Sequence, residues 1–515
     1  MTILSTGSMS MSQRALSTVS SAVTGMAHHN GRPLRLSALA LSLTLLGGCV
    51  ISEPRTQVAM ALPAQWQEPD EAKGSVLEQQ WWQGFHAAEL DQLITQALAH
   101  SPDLHSTLEQ VRQAELAVNV AGASLFPSVS AALGSDWRRS ESSAGDSQQS
   151  RSSSGSLAIS YEVDVWGRLA AERDSARASL AASRFDYQAS RLSLASAVAD
   201  AYFNVLALDK QIALAEDNLQ IAARVMKIVE ARFRNGMATA LDVSQQRNTV
   251  LNQQAALLPL RVRARQTRSA LAILLGQTPQ TPVLAEHLAL DAIQPPAISA
   301  GLPSELLTRR PDLASAEADL AAADADVLAA RAALLPSVQL SSSLGVSTAA
   351  LLSLANPANS VSLAGSLAQS LFDGGQRRSQ VAISQSRRRQ LVDNYRSAVL
   401  TALKEVEDAL GNTRLTADQE QLQRQIVAES QRSLRLAELR YREGADELLA
   451  VLDAQRTLFS AQSSLVDIQL SRLSAALDLY KALGGGWQRG QIIDTGEPAE
   501  DAQRDATTLQ PSVHT

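Results

Sequence analysis

Between Leu194 and Phe233, apolar residues recur at alternating steps of four and three: Leu194, Val198, Ala201, Val205, Leu208, Ile212, Ala215, Leu219, Ala222, Met226, Val229 and Phe233. That spacing keeps one stripe on one side of a helix and marks a coiled-coil seam. The stripe lies in a stretch after Gly167 with no proline or glycine before Gly236. The pattern predicts one unbroken helix of about 66 residues, about 100 Å long. A turn at Asn235-Gly236 and a returning helix of about 37 residues to Gly276 follow. Upstream, Pro102-Asp103 suits a helix N-terminus and opens a helix of about 22 residues, which stops before Phe126-Pro127.

Between the short and the long helix the period falls to two. Val129, Ala131, Leu133 and Trp137 alternate with Ser128, Ser130, Gly134 and Asp136, and Leu157, Ile159, Tyr161 and Val163 alternate with Ser156, Ser160 and Glu162. The polar run from Glu141 to Ser154 is expected to be a flexible loop joining these strands. Alternation with small polar partners suits a sheet with one face in lipid and one in water. A soluble two-stranded hairpin is the other reading of the same pattern.

The whole arrangement is written twice. Ser101-Pro-Asp-Leu104 recurs as Arg310-Pro-Asp-Leu313, and Phe126-Pro-Ser-Val129 as Leu335-Pro-Ser-Val338. Arg232-Phe-Arg-Asn-Gly236 matches Arg440-Tyr-Arg-Glu-Gly444, and Leu275-Gly276 matches Leu483-Gly484. An offset held near about 209 residues along both copies marks an internal repeat. The second copy carries its own alternating strands through Val338, Leu340, Leu344 and Val346, then Val361, Leu363 and Leu367. Its seam is less clean, because Thr413, Thr416, Glu420, Gln423 and Ser430 interrupt it. That helix is expected to use a different seam or to turn a polar face to water. In each copy the two shorter helices together match the long one in length, which predicts a sheathed wall. Four strands per chain cannot close a barrel, and open sheet edges are not tolerated in hydrocarbon. Strands that enter a membrane therefore require at least two chains to reach eight.

The N-terminus adds an address. Arg32 and Arg35 precede the apolar run Leu36–Leu46, then Gly47-Gly48-Cys49. Eleven residues reach only about 16 Å, a signal segment and not a span. Leu46-Gly-Gly-Cys49 resembles the bacterial lipobox, which implies lipid on Cys49, and Val50 in place of an aspartate implies sorting to the outer membrane. The expected organisation is a lipoprotein signal peptide over 1–48, a lipid-anchored segment over 49–88 and a first repeat over 89–280. A linker over 281–301, a second repeat over 302–487 and a disordered tail over 488–515 complete it.

Composition removes other classes. The chain has 515 residues, net charge −7 and one cysteine. It lacks the basic balance of a nucleic-acid binder and can form neither an intrachain disulfide nor a cysteine metal cage. The histidines lack ligand spacing, and no Gly-x-Ser-x-Gly, phosphate loop or His-Glu-x-x-His is present. Asp373-Gly374-Gly375 lacks the Gly-Lys-Ser/Thr ending of a phosphate cradle and reads as a strand-to-helix elbow. Glu405 and Glu407 read as solvated helix acids. No enzyme and no cofactor beyond the covalent lipid are expected. A pore-free periplasmic coiled-coil lipoprotein would share the heptads and the anchor, but has no use for lipid-facing strands.

The chain resembles the TolC-like outer-membrane efflux proteins, lipoprotein type, close to OprM and NodT. The resemblance rests on the lipobox, the duplicated Pro-Asp-Leu and Pro-Ser-Val signals, and Tyr161-Glu-Val-Asp-Val-Trp-Gly-Arg168. Leu371-Phe-Asp-Gly-Gly375, Tyr441-Arg-Glu-Gly444 and Val451-Leu-Asp-Ala-Gln-Arg456 also carry it. It implies a mixed membrane protein: long α-helical coiled-coil hairpins forming a periplasmic tunnel, and a homotrimeric twelve-stranded outer-membrane barrel. It implies the passive exit duct of a tripartite pump, with a periplasmic adaptor and an inner-membrane RND-type transporter as partners. Type I secretion is the other export role open to such a duct. Carried over, Gly236 and Gly444 mark the periplasmic tips, and Asp242, Tyr441 and Asp446 are candidates for the constriction. Some relatives carry an arginine where Asp446 stands, so the arginine–aspartate link between hairpins cannot form here in the same way.

Overall fold

The computed structural model describes residues 56, 58–68, 79–141, 147–282, 288–296 and 298–489. Cys49, the signal segment and all of the tail but its first two residues lie outside the described residues. The first half contains α1 (Ala88–His100), α2 (Pro102–Ala123), β1 (Ser128–Glu141), β2 (Ser147–Val163), α3 (Arg168–Arg234) and α4 (Ala240–Leu274). After the connecting segment come α5 (Pro311–Ala332), β3 (Ser337–Thr348), β4 (Ala358–Ala368), α6 (Gln376–Arg442) and α7 (Leu448–Ala482). Corresponding helices match in length: 22 residues for α2 and α5, 67 for α3 and α6, 35 for α4 and α7. At 1.5 Å per residue the 67-residue helices are about 100 Å long.

The strands form one antiparallel sheet in the order β1-β2-β3-β4. Here the structure corrects one expectation. The polar run from Glu141 to Ser154 is not a loop along most of its length, since Ser147–Ser154 pairs in register with Glu141–Gly134. Serine and glutamine hold the strand because both faces are exposed from Ser147 to Ser152, and the buried Ser153 donates its hydroxyl to the Ala350 carbonyl at 2.8 Å. The backbone amides of β1 still need partners.

Helix α3 is the spine and packs against α2, α4, α5 and α7. Of its seam residues, Val198, Val205, Ala215, Ala222 and Val229 are buried, whereas Phe233 is exposed at the helix end. It also buries Ala199, Tyr202, Phe203 and Leu206, more than one stripe can supply, because its neighbours lie on several sides. The main core gathers where Trp81 stacks on Tyr480, with ring centroids 5.0 Å apart, and Phe85 meets Phe203 at 5.2 Å. Leu290, Ile293 and Ile298 of the connecting segment are buried in the same core, and Lys210 of α3 pairs with Asp291 at 2.8 Å.

The second hairpin uses neither of the two expected arrangements. Glu420 and Ser430 stay in the seam and are buried. Glu420 accepts from Arg424 and Arg472 at 2.6 Å each and from Gln469 at 3.1 Å. Gln423 donates to the Ala461 carbonyl at 2.9 Å, and Thr413 and Thr416 bond carbonyls of their own helix. A polar seam survives because Thr413, Thr416, Glu420 and Gln423 each find a partner. Of the two helix acids, Glu405 is exposed as expected and Glu407 is half-buried, and each also has a partner. Glu405 pairs with the buried Arg310 at 2.7 Å, and Glu407 accepts the Glu68 amide at 2.8 Å.

Burial alone would raise the Glu420 pKa, but the hydrogen bonds from Arg424, Arg472 and Gln469 outweigh it and hold the carboxyl below its ordinary 4.5. A folded-state pKa below the unfolded one stabilises the fold fully above 4.5 and loses that contribution as pH falls through the lowered value. Glu420→Gln is expected to lower stability at pH 7 by about 1–3 kcal/mol and to flatten the acid limb of the melting curve. Thermal midpoints from pH 3 to 8 check this; superimposable curves for both proteins would refute the coupling.

Candidate functional site

The sheet sorts its side chains by face. Across the strands, Ala131, Leu157, Leu344 and Val361 stand in one row, and Val163, Val338 and Leu367 in another. The opposite face carries Ser130, Ala158, Ser343 and Ser362, then Ser128, Ser160, Ser341 and Ala364. Among the described residues most of the apolar face lies bare: Leu133 is 84% exposed and Leu363 85%. An apolar face of this extent marks contact with lipid or protein. Among the described residues, β1 and β4 each leave one edge unpaired.

Two elbows fix the sheet to the long helices. Asp164 accepts the amides of Leu169 and Ala170 at 3.1 and 2.8 Å, and Asp373 accepts those of Gly375 and Arg377 at 2.9 and 3.3 Å. Each carboxylate satisfies orphan amides and sits at the positive end of a helix dipole. Trp166 donates to the Pro336 carbonyl at 2.6 Å, and Arg377 to the Ala333 carbonyl at 3.0 Å, so both elbows are tied to the end of α5.

At the far end of the long helices lie two turns. Gly236 and Gly444 have φ of 74° and 75°. The following amides close the helix ends, Met237 onto the Arg232 carbonyl at 2.8 Å and Ala445 onto the Arg440 carbonyl at 2.9 Å. A side chain at Gly236 would meet nothing within 4 Å, so backbone conformation and not packing demands glycine there.

Asp242 is the third residue of a capping box. Its carboxylate accepts the Thr239 amide at 2.7 Å, while its own amide donates to the Thr239 hydroxyl at 3.2 Å. Asp446 pairs with Arg440 at 3.1 Å, and Glu447 is the N-cap of α7. Tyr441 is 4% exposed, packed with Val225, Val229, Leu448 and Val451. Burial raises its pKa, Arg232 opposes that, and Asp242 adds to it, so Asp242 and Tyr441 share one electrostatic neighbourhood.

Arg232 connects the two turns. Its guanidinium lies 4.5 Å over the Tyr441 ring, and Nη1 donates to the Tyr441 carbonyl. In the sequence Arg232 stands out only as the first residue of a repeated phrase. The two repeats part here: Arg440 has Asp446 six residues on, whereas Arg232 has Ala238 at that place and turns to the ring of the other hairpin. The mismatch of Ala238 with Asp446 was the available signal. Among the described residues no group of three or more His, Cys, Asp or Glu is placed to hold a metal ion.

A sheet with a bare apolar face and two open edges, carried on 67-residue helices, defines one segment of a membrane channel wall. The family model described as "Outer membrane efflux protein" matches residues 93–277 and 302–485, and the chain belongs to that family. The pyoverdine export outer membrane protein OpmQ of Pseudomonas putida is 42% identical over 465 residues, covering 88% of this chain and 98% of its own. The toluene efflux pump outer membrane protein TtgC of Pseudomonas putida is 34% identical over 469 residues, covering 88% and 97%. The solved outer-membrane channel OprN superposes with a TM-score of 0.78 at 28% identity, over 85% of this chain and 99% of that one. The protein is thus the outer-membrane channel component of a bacterial efflux system, a conduit and not a catalyst.

Arg232→Ala removes a cation–π contact and a charge-assisted hydrogen bond, together about 1–3 kcal/mol. Amide exchange at Met237 and Gly444 is expected to quicken by about ten- to a hundredfold, with Arg232→Lys intermediate. Hydrogen-exchange mass spectrometry reads this directly; unchanged protection in the alanine variant would remove Arg232 from the link.

Proposed function

We propose that three copies of this chain join edge to edge, β1 of one to β4 of the next, closing a twelve-stranded barrel in the outer membrane. The observation that carries this reading is the bare apolar sheet face together with both unpaired edges. Hydrocarbon accepts the face but not the edges, and further copies remove the edges. The helices of the three copies then line a continuous periplasmic tunnel of about 100 Å. Acyl chains on Cys49 anchor each subunit to the inner leaflet.

The duct is passive and receives cargo from an RND-type inner-membrane transporter through a periplasmic adaptor. Relatives named for pyoverdine export and toluene efflux are both similar along almost their whole length. Such dissimilar cargoes on one wall support a substrate chosen by the transporter. Gly236 and Gly444 turn the hairpins at the periplasmic tip, where Asp242 and Asp446 narrow the aperture and the candidate Tyr441, buried between the hairpins, supports them from behind. Threefold copies of Asp446 make an acidic ring that favours cations, moderated by the paired Arg440.

Native mass spectrometry of the detergent-solubilised protein is expected to give three times the acylated chain mass, and planar bilayers discrete conducting steps. A monomer that is soluble once deacylated overturns the reading. Asp446→Ala is expected to lower cation over anion preference by about two- to threefold, read from reversal potentials in a salt gradient. An unchanged preference and conductance would exclude Asp446 from the aperture.

A further inference from the structure

The outer end of the sheet carries chemistry that a plain hydrocarbon wall does not need. Strand alternation puts Val129, Ala131, Leu133, Trp137 and Arg139 of β1 on the apolar face, and Arg151 of β2 stands opposite Trp137 on that same face. From Val129 to Trp137 the strand climbs about 27 Å, which a barrel tilt of about 40° reduces to about 21 Å, close to the roughly 25 Å apolar band of such barrels. Trp137, 53% exposed, therefore stands where aromatic girdles stand. Arg151 shares its level and Arg139 lies one step beyond, both at headgroup depth. Both arginines are exposed and make no ion pair among the described residues, where Glu141 is the one acid of β1 and β2 on that face at this end.

The connection between β3 and β4 adds the second half. The Leu352 amide donates to Ser135 Oγ at 3.1 Å, and Ser153 Oγ donates to the Ala350 carbonyl at 2.8 Å. A Cβ on Gly155 would meet Leu354 at 4.0 Å. Ser135, Ser153 and Gly155 all belong to the apolar face, so this connection folds back over the outward side and away from the serine-lined side. It lays three leucines there: Leu351, Leu352 and Leu354 are 42%, 84% and 43% exposed.

We propose that this outward patch binds an anionic lipid with a phosphorylated headgroup. Arg139 and Arg151 take the phosphate, Trp137 lies at the interface, and the three leucines lie among the acyl chains. The inference rests on the reading that the sheet spans the outer membrane with its helices on the periplasmic side. Charge complementarity selects a phosphate, and the adjoining leucines and tryptophan select a lipid over a free anion. A closed trimer would carry six such arginines around its outer rim.

The test uses the full acylated protein, purified in detergent and exposed to equal concentrations of a bisphosphorylated lipid A and of phosphatidylethanolamine. Lipid carried through a detergent wash is counted by native mass spectrometry. Wild type is expected to retain the bisphosphorylated lipid at least about tenfold over the zwitterionic one. The variant R139Q/R151Q is expected to retain both alike, and inorganic pyrophosphate at the same concentration is expected not to displace the lipid. Equal retention of the two lipids by wild type, undiminished preference in the double variant, or displacement by pyrophosphate overturns the proposal. Oligomer mass and conductance are read on the same samples. A conducting trimer without lipid preference defeats this inference alone, while a sample with neither trimer nor conductance defeats the channel reading and this inference with it.

Discussion

An unpaired backbone edge is the constraint on which the rest of this molecule turns. In water, β1 and β4 could leave their outer amides and carbonyls to solvent at little cost. With an apolar sheet face as bare as this one, the same edges enter a medium where each orphan group costs several kcal/mol. Side chains cannot relieve that, because the groups belong to the main chain. Only another strand does. The two elbows carry the consequence into the helices, since Asp164 and Asp373 lock α3 and α6 to the strands that precede them. Any arrangement that pairs the edges also sets where the long helices stand around an axis.

Much of this was legible in the chain because period and punctuation agree with tertiary structure. The heptad steps of α3 mark residues that do go inside, such as Val198, Val205 and Val229. Strand alternation reports the two faces correctly, because a row of serines against a row of leucines has one sensible orientation. What escaped was of a different kind. The pairing of Ser147–Ser154 is a backbone event, invisible to a reading of hydrophobicity. Glu420 looked like a fault in a seam because its partners Gln469 and Arg472 come about fifty residues later, on another helix.

Arg232 shows the same limit at the hairpin ends. Ala238, where the other copy has Asp446, distinguishes it locally from Arg440, and both close a helix in a repeated phrase. Its neighbour across the turn decides, and that neighbour is Tyr441 of the other repeat. Duplicated sequence thus conceals functional divergence best where the motif is best preserved. The turn glycines agree in φ to within a degree, yet the cations beside them engage different partners.

The seam differences between the hairpins have a mechanical consequence. Where the first copy places Ile212, Ala215 and Ala222, the second places Glu420, Gln423 and Ser430. Apolar residues tolerate a shift along a seam, because one methyl group packs much like another. A carboxylate held by Arg424, Arg472 and Gln469 does not. Sliding α6 along α7 by one turn would take Arg472 and Gln469 from the buried Glu420 and leave it only Arg424 of its own helix, at a cost of about 1–3 kcal/mol. The second hairpin is therefore pinned in register at that level, which lies 24 residues, about 36 Å, before the turn at Gly444. Between that level and the turn the two hairpins meet through Tyr441, which packs with Val225 and Val229 and carries the Arg232 guanidinium 4.5 Å over its ring. Register is thus set by the polar cluster at Glu420, and the apolar contacts nearer the turn are the ones that can re-pack without stranding a charge.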